Sequence, residues 1–385
     1  MSGKLLFYNG DIRKQKLEMK VTNHDELLIL LNRFSRMKRI STLLNTIDRY
    51  NEYFKTNFYE VLLPNIIKWS MELEVDELPL LQKGNQSSFS FSAREARYWL
   101  ANAFILNVDR VQKENYGELV FYELYNGSIT GAEKMLCILC YFHQAMELDV
   151  DRLISFDRYV ITEDPSTVFD SNKKINPKNI IIHVDNMESI KANAFVNFAN
   201  EQLSYGITNS CTQEEVLNAC CPETYLALLF IESMDDNEVI IIRGARRYST
   251  YLGYMNNFKW NGIYTDTIFQ DQIGLDACTR YHFSTGNVNR DLMKAYMGFK
   301  MSSASPISIS TGHWGCGAFG GNMIHKFLQQ VLAASVIPNV KLYYSTFGSN
   351  ETACKFSEIL DYIVLNNITI GQLYENLSTG KKLGF

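Results

Sequence analysis

Two adjacent acids, Glu214 and Glu215, stand where a β-rich run from Phe195 to Asn200 has passed through a small-residue loop to an expected helix start. Thr212-Gln-Glu-Glu215 fits the capping-box pattern, with Thr212 as N-cap and Glu215 reaching back to its amide. A strand that delivers a loop onto a helix N-terminus makes an anion site, because free amides and the helix dipole both favour negative charge. Two carboxyls placed there suit acid–base chemistry, in which a carboxyl gives a proton to a leaving oxygen and takes one from water. Glu215 also fits as a plain cap of its helix, and the segment alone leaves both uses open.

A second stretch, Ser310-Thr-Gly-His-Trp-Gly-Cys-Gly-Ala-Phe-Gly-Gly-Asn322, lies between an expected strand and an expected helix. Its glycines let the backbone approach a ligand closely. Gly315-x-Gly317-x-x-Gly320 matches the dinucleotide fingerprint in letters, but that reading needs an acidic residue about 20 positions later to hold a ribose. There is no Asp or Glu from Leu292 to Asn350, while Lys294, Lys300, Lys326 and Lys341 fall inside. The span argues for an anionic ligand and against a nicotinamide dehydrogenase. Tyr248, Tyr251 and Tyr254 follow the expected strand at Val239–Arg243, and Phe347 follows the one at Val340–Tyr344. Aromatics at strand ends can stack on a base.

The elements that must position these residues fall into two textures. Up to about Cys140 the pattern is helical: Asn23 can cap a helix carrying Leu27, Leu28, Leu31 and Phe34, and Leu43, Ile47, Tyr50 and Phe54 repeat the spacing. Ser92-Ala-Arg-Glu95 is a second capping box, opening the run Tyr98–Ile105. After polar loops, short β-rich runs alternate with helical ones: Ile180–Val184, Ala194–Phe198, Val239–Arg243, Ile307–Ser310, a helix over Met323–Ala334, and Val340–Tyr344. The alternation predicts an α/β region, a mixed sheet flanked by helices, over residues 146–385, behind an all-helical accessory region over 1–145.

Composition narrows the class. The chain of 385 residues carries a net charge of −5, which gives no general attraction to nucleic acid or membrane. Its first residues lack a secretory h-region, and no apolar run reaches the length of a membrane span, so an intracellular protein, nuclear or cytoplasmic, is expected. The eight cysteines show no disulfide-framework spacing. Cys137-x-x-Cys140 lies in the apolar run Met-Leu-Cys-Ile-Leu-Cys-Tyr-Phe and reads as buried structure. The histidines do not cluster, and neither a metal nor a cofactor is expected.

Taken together, these segments resemble the poly(ADP-ribose) glycohydrolase family, whose catalytic domain is a macrodomain with an added helical region. Gln213-Glu214-Glu215 reproduces the family's Gln-Glu-Glu, and Val196-Asn-Phe-Ala-Asn200 stands for its Val-x-Phe-Ala-Asn. The family's Thr-Gly-Asn-Trp-Gly-Cys-Gly-Ala-Phe-Gly-Gly-Asp is similar to Thr311–Asn322. Tyr-Ser-x-Tyr-x-Gly-Tyr appears at Tyr248–Tyr254 and Thr-Phe-Gly at Thr346–Gly348. Leu100-Ala-Asn-Ala-Phe104 looks like the accessory helices. The likeness runs from about Phe58 onward, and five motifs in order are highly specific.

The resemblance implies that Glu215 protonates the leaving ribose oxygen and then activates water at a ribose–ribose bond. It implies that Glu214 holds the ribose hydroxyls, that Gln213 contacts the adenine side, and that Asn197 belongs with the catalytic group. Tyr254 and Phe347 would frame adenine and the diphosphate, with Tyr251 beside them. Gly317, Ala318 and Phe319 would lie against diphosphate and ribose, and Asn200 and His313 would complete the contacts. Departures sit in the site itself: the family's triple glycine is Ser204-Tyr205-Gly206, its Asp is Asn197, its Asn is His313, and its closing Asp is Asn322. Two readings follow. One is a glycohydrolase that releases ADP-ribose from poly(ADP-ribose). The other is a catalytically inactive ADP-ribose reader, or a scaffold meeting protein partners through its helical region. The intact Gln-Glu-Glu favours the first, and Asn197, Ser204, Tyr205 and His313 favour the second; the enzyme is the expectation carried forward.

Overall fold

The computed structural model of the chain describes residues 4–6, 17–73, 77–108, 116–119, 121–148, 150–204, 206, 211–266, 268–302 and 307–379. Tyr205 therefore lies outside the described residues.

The N-terminal part is built mainly of helices: α1 (His24–Leu31), α2 (Ser41–Phe54), α3 (Leu63–Trp69), α4 (Ala93–Phe104) and α5 (Ile129–Gln144). The expected caps are in place. Asn23 Oδ1 accepts from the Glu26 amide at 3.0 Å, and Ser92 and Glu95 form the reciprocal box at the head of α4. Leu43, Ile47 and Tyr50 of α2 are buried, as spacing three and four apart requires of one helix face. Beside the helices, β1 (Lys4–Leu6) pairs antiparallel with β2 (Glu77–Pro79). The strand β3 (Ser87–Ser92) leaves the helices to join the main sheet.

That sheet has β3, β4 (Leu153–Val160), β5 (Ile180–His183), β6 (Ala194–Ala199), β7 (Glu238–Arg243), β10 (Asp271–Asp276), β11 (Ile307–Thr311) and β12 (Val340–Ser345) in the order β3-β4-β7-β10-β6-β11-β12-β5. Its first four strands run antiparallel to one another and its last five, from β10, run parallel. A separate hairpin, β8 (Ser249–Leu252) with β9 (Lys259–Ile263), packs on α5. One buried cluster joins Leu43, Tyr50 and Phe104 of the helices to Phe156, Ile240 and Ile242 of the sheet. A second holds Val196, Ile273, Ile309 and Leu342 against helices α7 (Thr285–Met301), α8 (Met323–Ser335), α9 (Asn350–Leu365) and α10 (Ile370–Thr379). Helices thus cover both faces of a mixed sheet, as the sequence predicts.

One detail of register positions the site. β10 pairs with β6 along its whole length, Asp271 opposite Ala194 through Asp276 opposite Ala199. On the other edge, β11 pairs with β6 only at Ala194 and Phe195. Past Phe195 the two strands part, and the chain leaving β6 travels to β7 and β10 while the chain leaving β11 travels the other way to β12. Adjacent parallel strands whose connections diverge leave a crevice at their carboxyl ends, where α/β sheets bind ligands.

Candidate active site

Gln213 opens helix α6 (Gln213–Cys220) directly over that gap. Its Oε1 accepts from the Phe198 amide at 2.8 Å, and its Nε2 donates to the Val196 carbonyl at 3.1 Å. The side-chain amide replaces the missing β11 strand on the β6 edge, so the backbone groups there stay paired. Gln213 was expected to contact adenine; its hydrogen bonds go to the strand instead.

Glu214 is 2% exposed. Its Oε2 accepts from the Asn200 amide at 2.9 Å and its Oε1 from the Ser204 amide at 2.8 Å. Burial, then the neighbouring Glu215, push its carboxyl up to about 8 against the pull of those two amides. Both oxygens hold the loop after β6, a role the sequence did not show. Ser204 sits at φ +67° with its hydroxyl turned inward to the Thr224 carbonyl at 3.3 Å, so it does not obstruct the crevice. Asn200 Oδ1 accepts from the Gln202 amide and tightens the same turn.

Glu215 reaches back to Thr212 as expected: the amide and the hydroxyl of Thr212 donate to Oε2 at 2.7 and 2.5 Å. Thr212 engages only that oxygen. Oε1 lies against Gly206, where a Cβ would sit 2.2 Å from it. Any side chain here would push the Glu215 carboxyl aside, which accounts for Gly206 being the one glycine of the three retained.

The opposite wall is the loop after β11. Trp314 is fully buried and donates Nε1–H to the Leu275 carbonyl at 2.9 Å. Gly315 at φ +71° has no room for a side chain, because a Cβ would stand 2.5 Å from that of Ala277. Gly317 and Ala318 are exposed, and a Cβ on Gly317 would meet nothing within 4 Å. His313 packs beside Tyr344, Nδ1 3.3 Å from its hydroxyl, and burial lowers the imidazole's pKa. Asn322 Oδ1 caps α8 by accepting from the His325 amide at 3.0 Å, a role in which Asn and Asp are equivalent.

At the third wall, Tyr254 and Phe347 meet edge to face with ring centroids 5.2 Å apart, and Phe347 is exposed at φ +52°. The hydroxyls of Tyr251 and Tyr254 are 2.6 Å apart, and burial raises both. The Met255 amide donates to the Cys211 carbonyl at 2.8 Å, which ties this corner to the head of α6. Tyr251, Tyr254 and Phe347 thus meet one another from elements far apart in sequence, while Gly317, Ala318 and Phe319 lie in the loop that follows β11. Asn197 is not an accessible group: it is fully buried, and its amide oxygen and nitrogen have no hydrogen-bond partner among the described residues.

Three residues that sequence reasoning passed over matter here. Glu188 accepts from the Tyr254 hydroxyl at 3.4 Å through Oε1, while its Oε2 is buried without a partner among the described residues. Its position just beyond β5, at the carboxyl end of the sheet, was the available signal. His282 Nε2 lies 2.9 Å from the Phe319 carbonyl, and Nδ1 lies 3.2 Å from Cys278 Sγ. A carbonyl only accepts, so Nε2 carries the proton and the imidazole straps the glycine loop to the segment before α7. Lys134 of α5 is fully buried beside Gly206, a lysine inside an apolar run.

The acid-free span also reads differently in three dimensions. Lys294 pairs with Asp276 at 2.5 Å and Lys326 pairs with Asp291, all four side chains being buried. These lysines neutralise buried acids rather than lining the crevice. Lys326 lies under the glycine loop, its ammonium 4.6 Å from the Trp314 ring centroid. Cys137 and Cys140 are buried free thiols. Among the described residues no helix is long and apolar enough to cross a membrane.

Comparison with known proteins places this arrangement. A family model described as poly(ADP-ribose) glycohydrolase, Macro domain fold, matches residues 168–354, and the helical-domain model of the same family matches residues 50–158. Poly(ADP-ribose) glycohydrolase 2 of Caenorhabditis elegans is 31% identical over 283 residues, covering 65% of this chain and 57% of that protein. Poly(ADP-ribose) glycohydrolase 1 of the same animal is 30% identical over 274 residues, covering 64% and 35%. Poly(ADP-ribose) glycohydrolase 1 of Arabidopsis thaliana is 27% identical over 338 residues, covering 66% and 61%. The chain spans less than two thirds of the length of each of these relatives. A solved poly(ADP-ribose) glycohydrolase from Deinococcus radiodurans in complex with ADP-ribose aligns at a TM-score of 0.30 and 12% identity over 54% of this chain and 94% of that one, too loose to carry an argument.

Proposed function

This chain belongs to the poly(ADP-ribose) glycohydrolase family, and from that premise we propose that it hydrolyses ribose–ribose glycosidic bonds of poly(ADP-ribose) and releases ADP-ribose. The observation that carries the proposal is the setting of Glu215. Its carboxyl is fixed through one oxygen by Thr212, pressed through the other against Gly206, and set at the head of the helix that crowns the crevice. Glu214 has both oxygens on backbone amides, so one carboxyl has to serve in both halves of the reaction. Protonated Glu215 gives its proton to the leaving ribose oxygen as the bond to the anomeric carbon breaks. The resulting carboxylate takes a proton from water as the water oxygen attacks that carbon. Acid–base hydrolysis of this kind calls for no cofactor.

Gly317 supports the substrate assignment, because among the described residues no atom beyond its chain neighbours lies within 4 Å of where its Cβ would be. A diphosphate and ribose lying against Gly317-Ala318-Phe319 fill that space. The edge-to-face pair of Tyr254 and Phe347 offers a wall for adenine, and the unpartnered Glu188 Oε2 offers an acceptor to a donor on that base. The same proposal divides the chain into a helical region, 1–145, and a macrodomain-type region, 146–385, with the first region not all-helical as the sequence predicts, since its strand β3 joins the sheet of the second. It keeps the protein intracellular, nuclear or cytoplasmic, with protein partners assigned to the helical surface.

A specific observation favours the reader as second reading: Asn197, where the family has an acid, is sealed in the protein with its amide unpaired. The test is release of free ADP-ribose from the polymer by the wild type and by Glu215→Gln, alongside ADP-ribose binding by both. Release by the wild type and at least about a hundredfold loss in the variant, with binding kept, is the expected result. Tight binding by the wild type without release would make the chain a reader.

A further inference from the structure

Helix α5 of the helical region reaches the loop that abuts Glu215. Lys134, on α5, is fully buried, and its ammonium donates to the Gly206 carbonyl at 3.3 Å. Gly206 in turn abuts the Glu215 carboxyl, with no space between them for a methyl group. We infer that Lys134 is a positioning residue of the active site: it anchors the loop against Glu215 from behind and sets a positive charge beside that carboxyl. The inference rests on the hydrolase reading and adds a residue from the other region of the chain.

The surroundings make the charge count. Facing Lys134 are Glu215, Cys211 and, on its own helix, Cys137. Facing Glu215 are Glu214 on the same helix, Cys211, Tyr225 and Lys134. Burial pushes the Cys211 thiol up to about 12 and the Tyr225 hydroxyl well above its usual value, so both are neutral at working pH. Burial also pulls the Lys134 ammonium below its usual range, and of the neighbours that oppose the fall Glu215 is the one that is not a neutral thiol. A lysine is an expensive residue to bury, and packing alone would be served as well by methionine. In a water-poor site a cation next to a carboxyl both orients it and favours its ionised form, the form that must accept the proton of water.

The experiment compares wild type with Lys134→Met in the full chain, measuring kcat, KM and the pH profile of hydrolysis. In parallel, the Glu215 carboxyl is titrated by carbon-13 resonance in glutamate-labelled protein, assigned by its loss in Glu215→Gln. The expected result is at least about a tenfold fall in kcat with KM within about threefold. The alkaline limb of kcat should move to higher pH in the variant, because the carboxyl that must carry the proton has lost a neighbouring positive charge. Should Lys134→Met fail to fold, Lys134→Gln, polar but uncharged, gives the same comparison. Unchanged kcat with an unmoved titration would reduce Lys134 to packing. A moved titration in a protein whose wild type hydrolyses nothing would overturn the hydrolase reading and leave Lys134 beside its carboxyl.

Discussion

The two loops that wall the crevice are held in place by different means. The loop after β6 is gripped by charge: Glu214 takes the amides of Asn200 and Ser204, and Lys134 takes the carbonyl of Gly206. The loop after β11 is held by shape: Trp314 is plugged into the core, Gly315 slots against Ala277, and the Gly321 amide closes on the Gly315 carbonyl at 2.9 Å. A grip on backbone amides tolerates changes of side chain, because any non-proline residue supplies an N–H. A grip by close packing does not, because a single methyl group already collides. The residues that differ from the family's triple glycine lie in the first loop, while the glycines of the second are all present.

The comparison is broken most directly at Gly206, where the charged loop has its one steric requirement. In Gly206→Ala the new methyl would fall 2.2 Å from Glu215 Oε1 and 2.8 Å from its Cδ, so the carboxyl has to swing away. Displacing a catalytic group by about 1 Å can cost a hundredfold in rate, and a fall in kcat of at least that size is expected, with the fold retained. Gly317→Ala is the partner experiment. It meets nothing in the protein, so thermal stability should hold while KM rises as substrate loses its approach to the backbone. Full kcat in Gly206→Ala would show that Glu215 is not held where hydrolysis needs it.

Much of this site was legible in the residues. The capping box at Thr212, the strands at Ala194–Ala199, Glu238–Arg243 and Val340–Ser345, and the glycine loop before α8 all lie where spacing and composition put them. Tyr254 and Phe347 meet as strand-end aromatics should. What escaped was the direction of polar side chains. Gln213, Glu214 and Asn200 read as ligand groups in the sequence, and spacing did not show that each is also tied to nearby backbone, whose buried amides need partners. The acid-free lysine span misled because ion pairs form across the fold: Asp276 and Asp291 precede the span and meet Lys294 and Lys326 from inside it. Strand β10 carries an acid at each end and a glycine at Gly274, which hides its β character, and polar residues in the first turn of α7 hide that helix.

Glu214→Gln tests the charged grip more gently. A glutamine side chain has one acceptor where the carboxylate has two, so either the Asn200 or the Ser204 amide loses its partner. Leaving a buried amide without its partner costs about 1–3 kcal/mol, so kcat should fall about five- to a hundredfold without any change in the residue that does the chemistry. The pH dependence separates this effect from a catalytic role. Glu214 titrates near 8 in the folded chain, well above an unfolded carboxyl, so between about pH 4.5 and 8 the folded state holds more protons than the unfolded one. Stability contributed by Glu214 is therefore present at low pH and declines as pH rises through that window. The difference in melting temperature, wild type minus Glu214→Gln, should shrink from pH 5 to pH 8, and a constant difference would mean that Glu214 does not titrate there.

Ser204→Gly should have the smallest effect, and it separates the two kinds of grip most sharply. Ser204 holds a left-handed backbone at φ +67°, which costs an L residue about 1–2 kcal/mol relative to glycine. Its hydroxyl recovers part of that through the Thr224 carbonyl at 3.3 Å, a bond worth about 0.5–1.5 kcal/mol. The amide that Glu214 holds is unaffected by the substitution. The opposing terms leave a net change within about 1 kcal/mol, seen as a shift of at most a few degrees in melting temperature, with kcat and KM within about threefold of wild type. A glycine is thus dispensable at this position because a carboxylate, not the absence of a side chain, fixes the loop. A tenfold or greater rise in kcat on restoring glycine would reverse that conclusion: Ser204 would then be an obstruction, and the departure from the family's glycines a brake on catalysis.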